Sequence, residues 1–211
     1  WYYSFLYSIN KIYIQRFDLN YLPLAPNKLE DFSIKKFTDE YKELQNLHDI
    51  YNKGWFSTDE IRKRINDGHI CYLGYHLDRI VGFLWIGLKK VYSSDYKCNF
   101  TVSSQSIISY NGFVNPQFRG QNILPLIRLH AYKEFAQLKY KYAFGYVLAK
   151  NKSVIRSAAK FNAQRVGYGY LINMLGCYYI YSQIKDKNIT IQKKEKTSRR
   201  LESAISKILK K

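Results

Sequence analysis

The run from Gly112 to Leu124, Gly-Phe-Val-Asn-Pro-Gln-Phe-Arg-Gly-Gln-Asn-Ile-Leu, carries an apolar strand end through Pro116 and Arg119-Gly120 straight into a helical pattern. A strand that stops where a helix starts leaves several backbone N–H groups unpaired and aimed at one spot. Together with the positive end of the helix dipole, those donors suit a phosphate or pyrophosphate. Gly120 matters because a side chain there would hold an anion away from the backbone. A second signal follows about one βαβ unit later, in Asn151-Lys-Ser-Val-Ile-Arg-Ser-Ala-Ala-Lys-Phe161, an Asn-led helical stretch.

Other chemistry is sparse. Cys71, Cys98 and Cys177 are widely spaced, with no CxxC pair, and His48, His69, His76 and His130 show neither HxxxH nor HExxH spacing. This suggests neither a disulfide framework nor a zinc site, so no metal is expected and a reducing, cytoplasmic setting is the default. No carboxylate pair or catalytic histidine emerges. The net charge of +18 attracts polyanions without choosing among them. Ten basic and three acidic residues follow Tyr181, so +7 of that charge sits in the tail. No aromatic-basic motif of a known nucleic-acid module appears, and no specific nucleic acid is expected.

The elements that must position these residues follow from periodicity. Tyr13–Leu19 and Phe32–Phe37 alternate as strands, and Leu22-Pro-Leu-Ala-Pro-Asn27 reads as a linker. Tyr41, Leu44, Leu47, His48 and Tyr51 recur at helical spacing, giving a helix over Asp39–Tyr51. Ser57-Thr-Asp-Glu60 fits a capping box that opens a second helix, ending near Asp67-Gly68. His69–His76 and Ile80–Leu88 form a hairpin about Leu77-Asp78-Arg79, and residues 91–104 read as polar turns. Ser106–Val114 is the strand before the anion-binding turn, and the helix after it runs to about Lys139. Tyr142–Leu148 is a strand, Lys152–Phe161 a short helix, and Gln164–Ser182 one or two strands broken at Gly167, Gly169 and Gly176.

This order predicts an α/β domain with a mixed central sheet, an antiparallel first half, and a βαβ crossover that carries the turn. Residues 1–30 form an aromatic segment with an extra strand, 31–183 the main domain, and 184–211 a basic tail. Leu201, Ala204, Ile205, Ile208 and Leu209 share one helical face, which fits either an amphipathic surface helix or a frayed terminus. The longest apolar runs fall short of the ~20 residues that span a bilayer. The chain begins without methionine, which leaves room for a missing upstream segment.

The pattern Val114-x-Pro116-x-x-Arg119-Gly120, followed by a long helix, a strand and the Asn151-led helix, resembles the GCN5-related N-acetyltransferase superfamily. The extra strand at Arg16–Leu19 and the Val81–Trp85 strand look like an uncharacterised bacterial branch of it. The resemblance implies acetyl-CoA as acyl donor. Phe113 and Val114 would offer backbone groups to the thioester carbonyl and pantetheine arm. Gln117, Arg119, Gly120, Gln121, Asn122 and Ile123 would form the pyrophosphate turn, mainly through main-chain N–H groups. Asn151 would hydrogen-bond the pantetheine arm where the sheet splays.

Several positions depart from the family pattern. Asn122 replaces a small residue two after the motif glycine, and Asn162-Ala163 replaces a Gly-Phe pair. Asn111 stands where relatives often place an acidic base, and Ala158 where many carry a tyrosine acid. Tyr110 and Tyr146, near the expected reaction centre, are the remaining candidates to relay a proton, with Ser109 beside Tyr110. The implied activity is acetyl transfer to the amine of a small molecule, an amino sugar first, by direct attack on the thioester. The alternative is a non-catalytic acyl-CoA-binding or regulatory domain. Peripheral membrane contact through the basic tail and a homodimer stay open as partners.

Overall fold

The computed structural model describes residues 7–27, 29–38, 57–174 and 177–193. The helix expected over Asp39–Tyr51, the amphipathic end expected from Ser198, Gly176 and residues 1–6 lie outside them. The chain forms two compact units: Leu19–Leu88 with Ser109–Ala143, and Trp1–Asp18 with Lys89–Ile108 and Phe144–Lys211.

The unit that carries the turn at residues 115–122 contains β2 (Phe32–Lys36), β3 (Ile70–His76), β4 (Arg79–Gly87) and the end of β7 (Ser106–Val114), in the order β7-β4-β3-β2. Strands β3 and β4 pair antiparallel from Ile70↔Ile86 to His76↔Arg79, and β2 pairs antiparallel with β3. Ile80–Gly87 is buried throughout, as expected of a strand covered on both faces. One cover is α2 (Ile123–Gln137). It lies close because three adjacent strands present glycine to it. A Cβ on Gly74 would stand 2.8 Å from Ile127, one on Gly82 3.0 Å from Ile123, and one on Gly112 2.9 Å from Leu124. Helix α1 (Thr58–Asn66) begins as its capping box requires, with Ser57 Oγ accepting from the Glu60 N–H at 3.2 Å.

The other unit holds β10-β9-β1-β8, built from β1 (Tyr7–Asp18), β8 (Tyr142–Leu148), β9 (Gln164–Met174) and β10 (Cys177–Ile184), with α3 (Lys152–Ala159) between β8 and β9 in the chain. Strand β1 starts six residues before the alternation at Tyr13 suggested, and pairs antiparallel with β9 from Tyr7↔Met174 to Arg16↔Gln164. Gly167 and Gly169 do not break β9. They lie inside it, and a Cβ on Gly167 would come 2.7 Å from the Gln183 carbonyl of β10.

Residues 91–104 also differ from expectation. They contain two strands, β5 (Lys90–Ser93) and β6 (Cys98–Val102), which pair antiparallel. Short alternation was the overlooked signal: Val91, Cys98 and Phe100 are fully buried while polar residues intervene. Strand β11 (Ile189–Lys193), inside the stretch read as a basic tail, pairs with β6 to complete a three-stranded sheet in the order β11-β6-β5. Its anchor is Asp186, which accepts from Arg16 at 2.8 Å and from the main chain and side chain of Asn188 at 2.9 Å.

Candidate functional site

The turn after β7 is built from its own residues. Pro116–Phe118 forms a single 3₁₀ turn, capped by Asn115, whose Oδ1 accepts from the Gln117 N–H at 3.2 Å. Phe118 N–H donates to Asn115 O at 2.8 Å and Arg119 N–H to Pro116 O at 3.3 Å. Beyond these, Gly120 takes φ +85° and Asn122 φ +58°, two left-handed residues on either side of Gln121. Asn122 is the N-cap of α2 and makes no side-chain cap. The first intrahelical bond is Leu126 N–H to Asn122 O at 2.9 Å, and Pro125 has no N–H to place. The N–H groups of residues 120–124 therefore donate to no protein acceptor among the described residues. Gly120 has open space where a Cβ would be, and Arg119, Gly120 and Gln121 are exposed. Successive free amides around left-handed residues at a helix start make an anion-binding concavity.

Strand β7 presents two faces and two edges. Phe113 stacks on Phe83 at 5.4 Å, on the face opposite α2, while Gly112 faces α2. Asn115 N–H donates to Val81 O at 2.9 Å, so Phe113 and Asn115 direct their backbone groups toward β4. Alternation then turns the N–H and C=O of Val114 to the opposite edge. Asn111 sits within β7 at φ +45°, a left-handed residue inside a strand.

On the face that carries Phe83 and Phe113 stands a polar group that sequence reasoning missed. Tyr110, 5% exposed, holds its hydroxyl against His69 Nδ1, with the two rings edge to face at 5.5 Å. The buried Arg64 guanidinium lies 5.2 Å from the Tyr110 ring and 5.3 Å from the Trp85 ring, and its Nε donates to Glu60 at 3.2 Å. His69 and Tyr110 are 41 residues apart, so their meeting depends on the β3-β4-β7 order and no local motif announces it. Behind the strand, Ser109 Oγ and Tyr132 Oη are 2.8 Å apart and buried.

Tyr146 and Asn151 belong to the other unit. The Tyr146 ring is stacked on Phe100 at 4.1 Å and edge to Tyr96 at 5.7 Å, and burial pushes its hydroxyl well above the ordinary tyrosine value. Asn151 caps α3, its Oδ1 accepting from the Val154 N–H at 3.2 Å. Ala158 is fully buried in that helix, and Asn162 follows it at φ +53°. Cys98 is buried, which pushes its thiol up to about 12. Among the described residues no three His, Cys, Asp or Glu side chains come together to hold a metal, and no helix is long and apolar enough to cross a membrane.

No protein-family model and no curated protein matches the sequence. Solved structures do match. A functionally unknown conserved protein from Staphylococcus epidermidis aligns at TM-score 0.57 and 11% identity, over 79% of this chain and 62% of that one. A GCN5-related N-acetyltransferase from Sphaerobacter thermophilus aligns at 0.57 and 12%, over 81% and 53%. A GCN5-related glucosamine N-acetyltransferase region of a fungal multi-domain β-N-acetylglucosaminidase aligns at 0.55 and 13%, over 75% and 20%. The chain thus spans about three-fifths or less of the length of these proteins. At such identities the likeness establishes the fold: a mixed α/β architecture with a large, mostly antiparallel sheet, that of the GCN5-related N-acetyltransferases.

Proposed function

We propose that this chain, which has the GCN5-related N-acetyltransferase fold, transfers an acetyl group from acetyl-CoA to an amine of a small molecule. The observation that carries the reading is the turn at residues 120–124, whose uncommitted amides follow a left-handed Gly120 and surround a left-handed Asn122. A diphosphate satisfies those donors and the α2 dipole at once. Gln117 and Arg119 have their N–H groups engaged within the 3₁₀ turn, so they would act through their side chains. Gly120, Gln121, Asn122 and Ile123 would act through the main chain. Val114, with its backbone groups turned away from β4, would offer them to the pantetheine arm or the thioester carbonyl, with Phe113 packed beside it on Phe83. Asn151 would serve the same arm through the part of its amide that does not cap α3.

The reaction is direct attack of the amine nitrogen on the thioester carbon, with loss of CoA thiolate. Positioning and backbone polarisation of the carbonyl supply much of the rate, and Tyr110 and Tyr146 are the residues proposed to handle the proton. An amino sugar is the acceptor proposed first, since the same fold serves a glucosamine N-acetyltransferase region.

Calorimetry with acetyl-CoA tests the reading, and absence of binding at millimolar ligand would remove it. One observation favours a second reading. The buried Ala158 carries no hydroxyl where a tyrosine acid would be expected, as in a domain that binds acyl-CoA without turning it over. Release of free thiol from acetyl-CoA across an amine library separates the two, because the binding domain releases none.

A further inference from the structure

We infer that the tyrosine-bearing face of strands β10, β9 and β1 is a binding surface for single-stranded nucleic acid, its rings taking bases and Lys11 and Arg165 taking phosphates. The inference stands apart from the acetyl-transfer reading and uses no residue of the turn at 115–122.

Strand register composes the surface. Tyr13 pairs with Tyr168 and Lys11 with Tyr170 across β1 and β9, while Tyr170 pairs with Tyr181 across β9 and β10. Alternation puts all five side chains on one face. Ile12, Ile14 and Leu171 alternate with them and are buried, so the opposite face belongs to the core. On the tyrosine face, Lys11 and the four tyrosines are only half-buried, and Arg165 is exposed. The open patch stops at Ile172, buried two residues beyond Tyr170. Pairing shifts register between Ile14 and Gln15, and the Arg165 guanidinium lies over the Tyr13 ring, 4.1 Å from its centre. Lys11 Nζ is 5.1 Å from the Tyr168 ring centre and 5.2 Å from that of Tyr170. Tyr168 and Tyr170 meet edge to face at 5.8 Å, and Tyr170 and Tyr181 are tilted at 6.4 Å.

Charge and ring chemistry together select the ligand. The charged residues of these three strands are Lys11, Arg16, Asp18 and Arg165, and Arg16 is committed to Asp186 beyond β10. Asp18 lies five residues past Tyr13, about 16 Å along the strand. A solvated surface ordinarily mixes both signs. Here two cations stand among four tyrosines with no strand carboxylate beside them, which suits a polyanion. Every base has a π face, and aromatic rings beside cations that follow the backbone hold single strands without sequence preference. Because each cation lies against a ring, one nucleotide can meet both, its base on the tyrosine and its phosphate on the cation. A sheet face with aromatics in this arrangement has room for two or three bases. A duplex keeps its bases stacked inside and offers the rings only its backbone. No linear motif announces the surface, since its residues come from strands at opposite ends of the chain.

The test is fluorescence anisotropy of the full chain with labelled oligothymidylate and oligouridylate of about 12 nucleotides, beside a DNA duplex of the same length. Both single strands are expected to bind more tightly than the duplex. Tyr168→Leu and Tyr170→Leu remove rings without altering charge, and each should weaken single-strand binding about 5-fold to 150-fold while leaving duplex binding unchanged. Lys11→Met should flatten the salt dependence by about 0.7 in log–log slope. Thermal unfolding checks that the variants fold. Irradiation of the parent with a 5-iodouracil-substituted oligonucleotide locates the contact with no substitution at all, and cross-links should fall on Tyr13, Tyr168, Tyr170 or Tyr181. Equal affinity for duplex and single strand, binding untouched by both tyrosine variants, or cross-links confined to residues beyond Lys193 would reveal attraction by net charge alone and overturn the inference, as would a parent that binds neither oligonucleotide. Phosphatidylserine vesicles bound more tightly than either oligonucleotide, with the same loss in Y168L and Y170L, would mark a lipid surface and overturn it as well.

Discussion

Substitution at Gly120 is the sharpest probe of the turn. Its φ of +85° means that any Cβ costs strain, while the space where that Cβ would go is open. Gly120→Ala should therefore lose about 1 kcal/mol of folding stability from backbone strain alone. For a chain of this length that lowers the melting temperature by about 2–4 °C. Gly120→Glu adds a carboxylate facing the same space. Two unit charges about 5 Å apart interact by about 0.8 kcal/mol in bulk water and by about 3 kcal/mol at an effective dielectric near 20. Acetyl-CoA affinity should then fall by roughly 4-fold to 200-fold. Because Arg119 and Gln121 are exposed, the loss should sit in the lower half of that range and shrink further with salt. Gly120→Lys carries the same strain with the opposite charge and should bind better than Gly120→Glu. Calorimetry with acetyl-CoA measures the affinities, and thermal unfolding without ligand measures the strain. Equal affinity for parent and G120E, alongside the expected fall in melting temperature, would show that these amides do not hold the diphosphate.

Three further outcomes are expected. Gly82→Ala brings a Cβ to 2.9 Å from the Phe113 carbonyl and 3.0 Å from Ile123, and should cost about 1–3 kcal/mol, seen as a melting temperature lower by roughly 2–12 °C. Asn151→Ala should cost about 1 kcal/mol through loss of the α3 cap, whereas Asn151→Asp keeps the acceptor and the stability; a raised KM for acetyl-CoA in N151D then reports the amide donor. Burial raises the Asp186 carboxyl, but the Asn188 N–H groups and Arg16 outweigh it and hold it below the ordinary carboxylate value. The folded protein thus binds fewer protons there than the unfolded chain. That stabilisation is complete above about pH 5 and is lost as pH falls below about 4, and melting curves of Asp186→Asn should show a flatter acid side.

The local parts of the site were legible because their chemistry is local. Ser57 caps α1, Gly68 ends it, and Arg119-Gly120 leads into α2, each governed by dihedral and capping preferences within a few residues. What escaped depends on tertiary register. The short β5 and β6 alternate over only four and five residues, and their burial shows once they pair with each other and with β11. Gly167 and Gly169 read as breaks because glycine weakens an isolated strand, yet here the lack of a side chain admits β10 and Ile12. His69 was invisible as a partner of Tyr110, because only the strand order makes them neighbours.

The departures from the family pattern gain a common explanation from the backbone. Asn111, Asn122 and Asn162 all stand at positive φ, at +45°, +58° and +53°. Asparagine is, after glycine, the residue that tolerates this region best. Asn162 thus supplies the conformation a helix-ending glycine would supply, and Asn122 holds the left-handed entry into α2 without spending its side chain on a cap. Asn111 differs, since no carboxylate can act from it. On the proposed reading, the backbone of the turn carries the binding, while Asn111 and Ala158, at the positions of the expected base and acid, have no side chain that exchanges a proton at neutral pH.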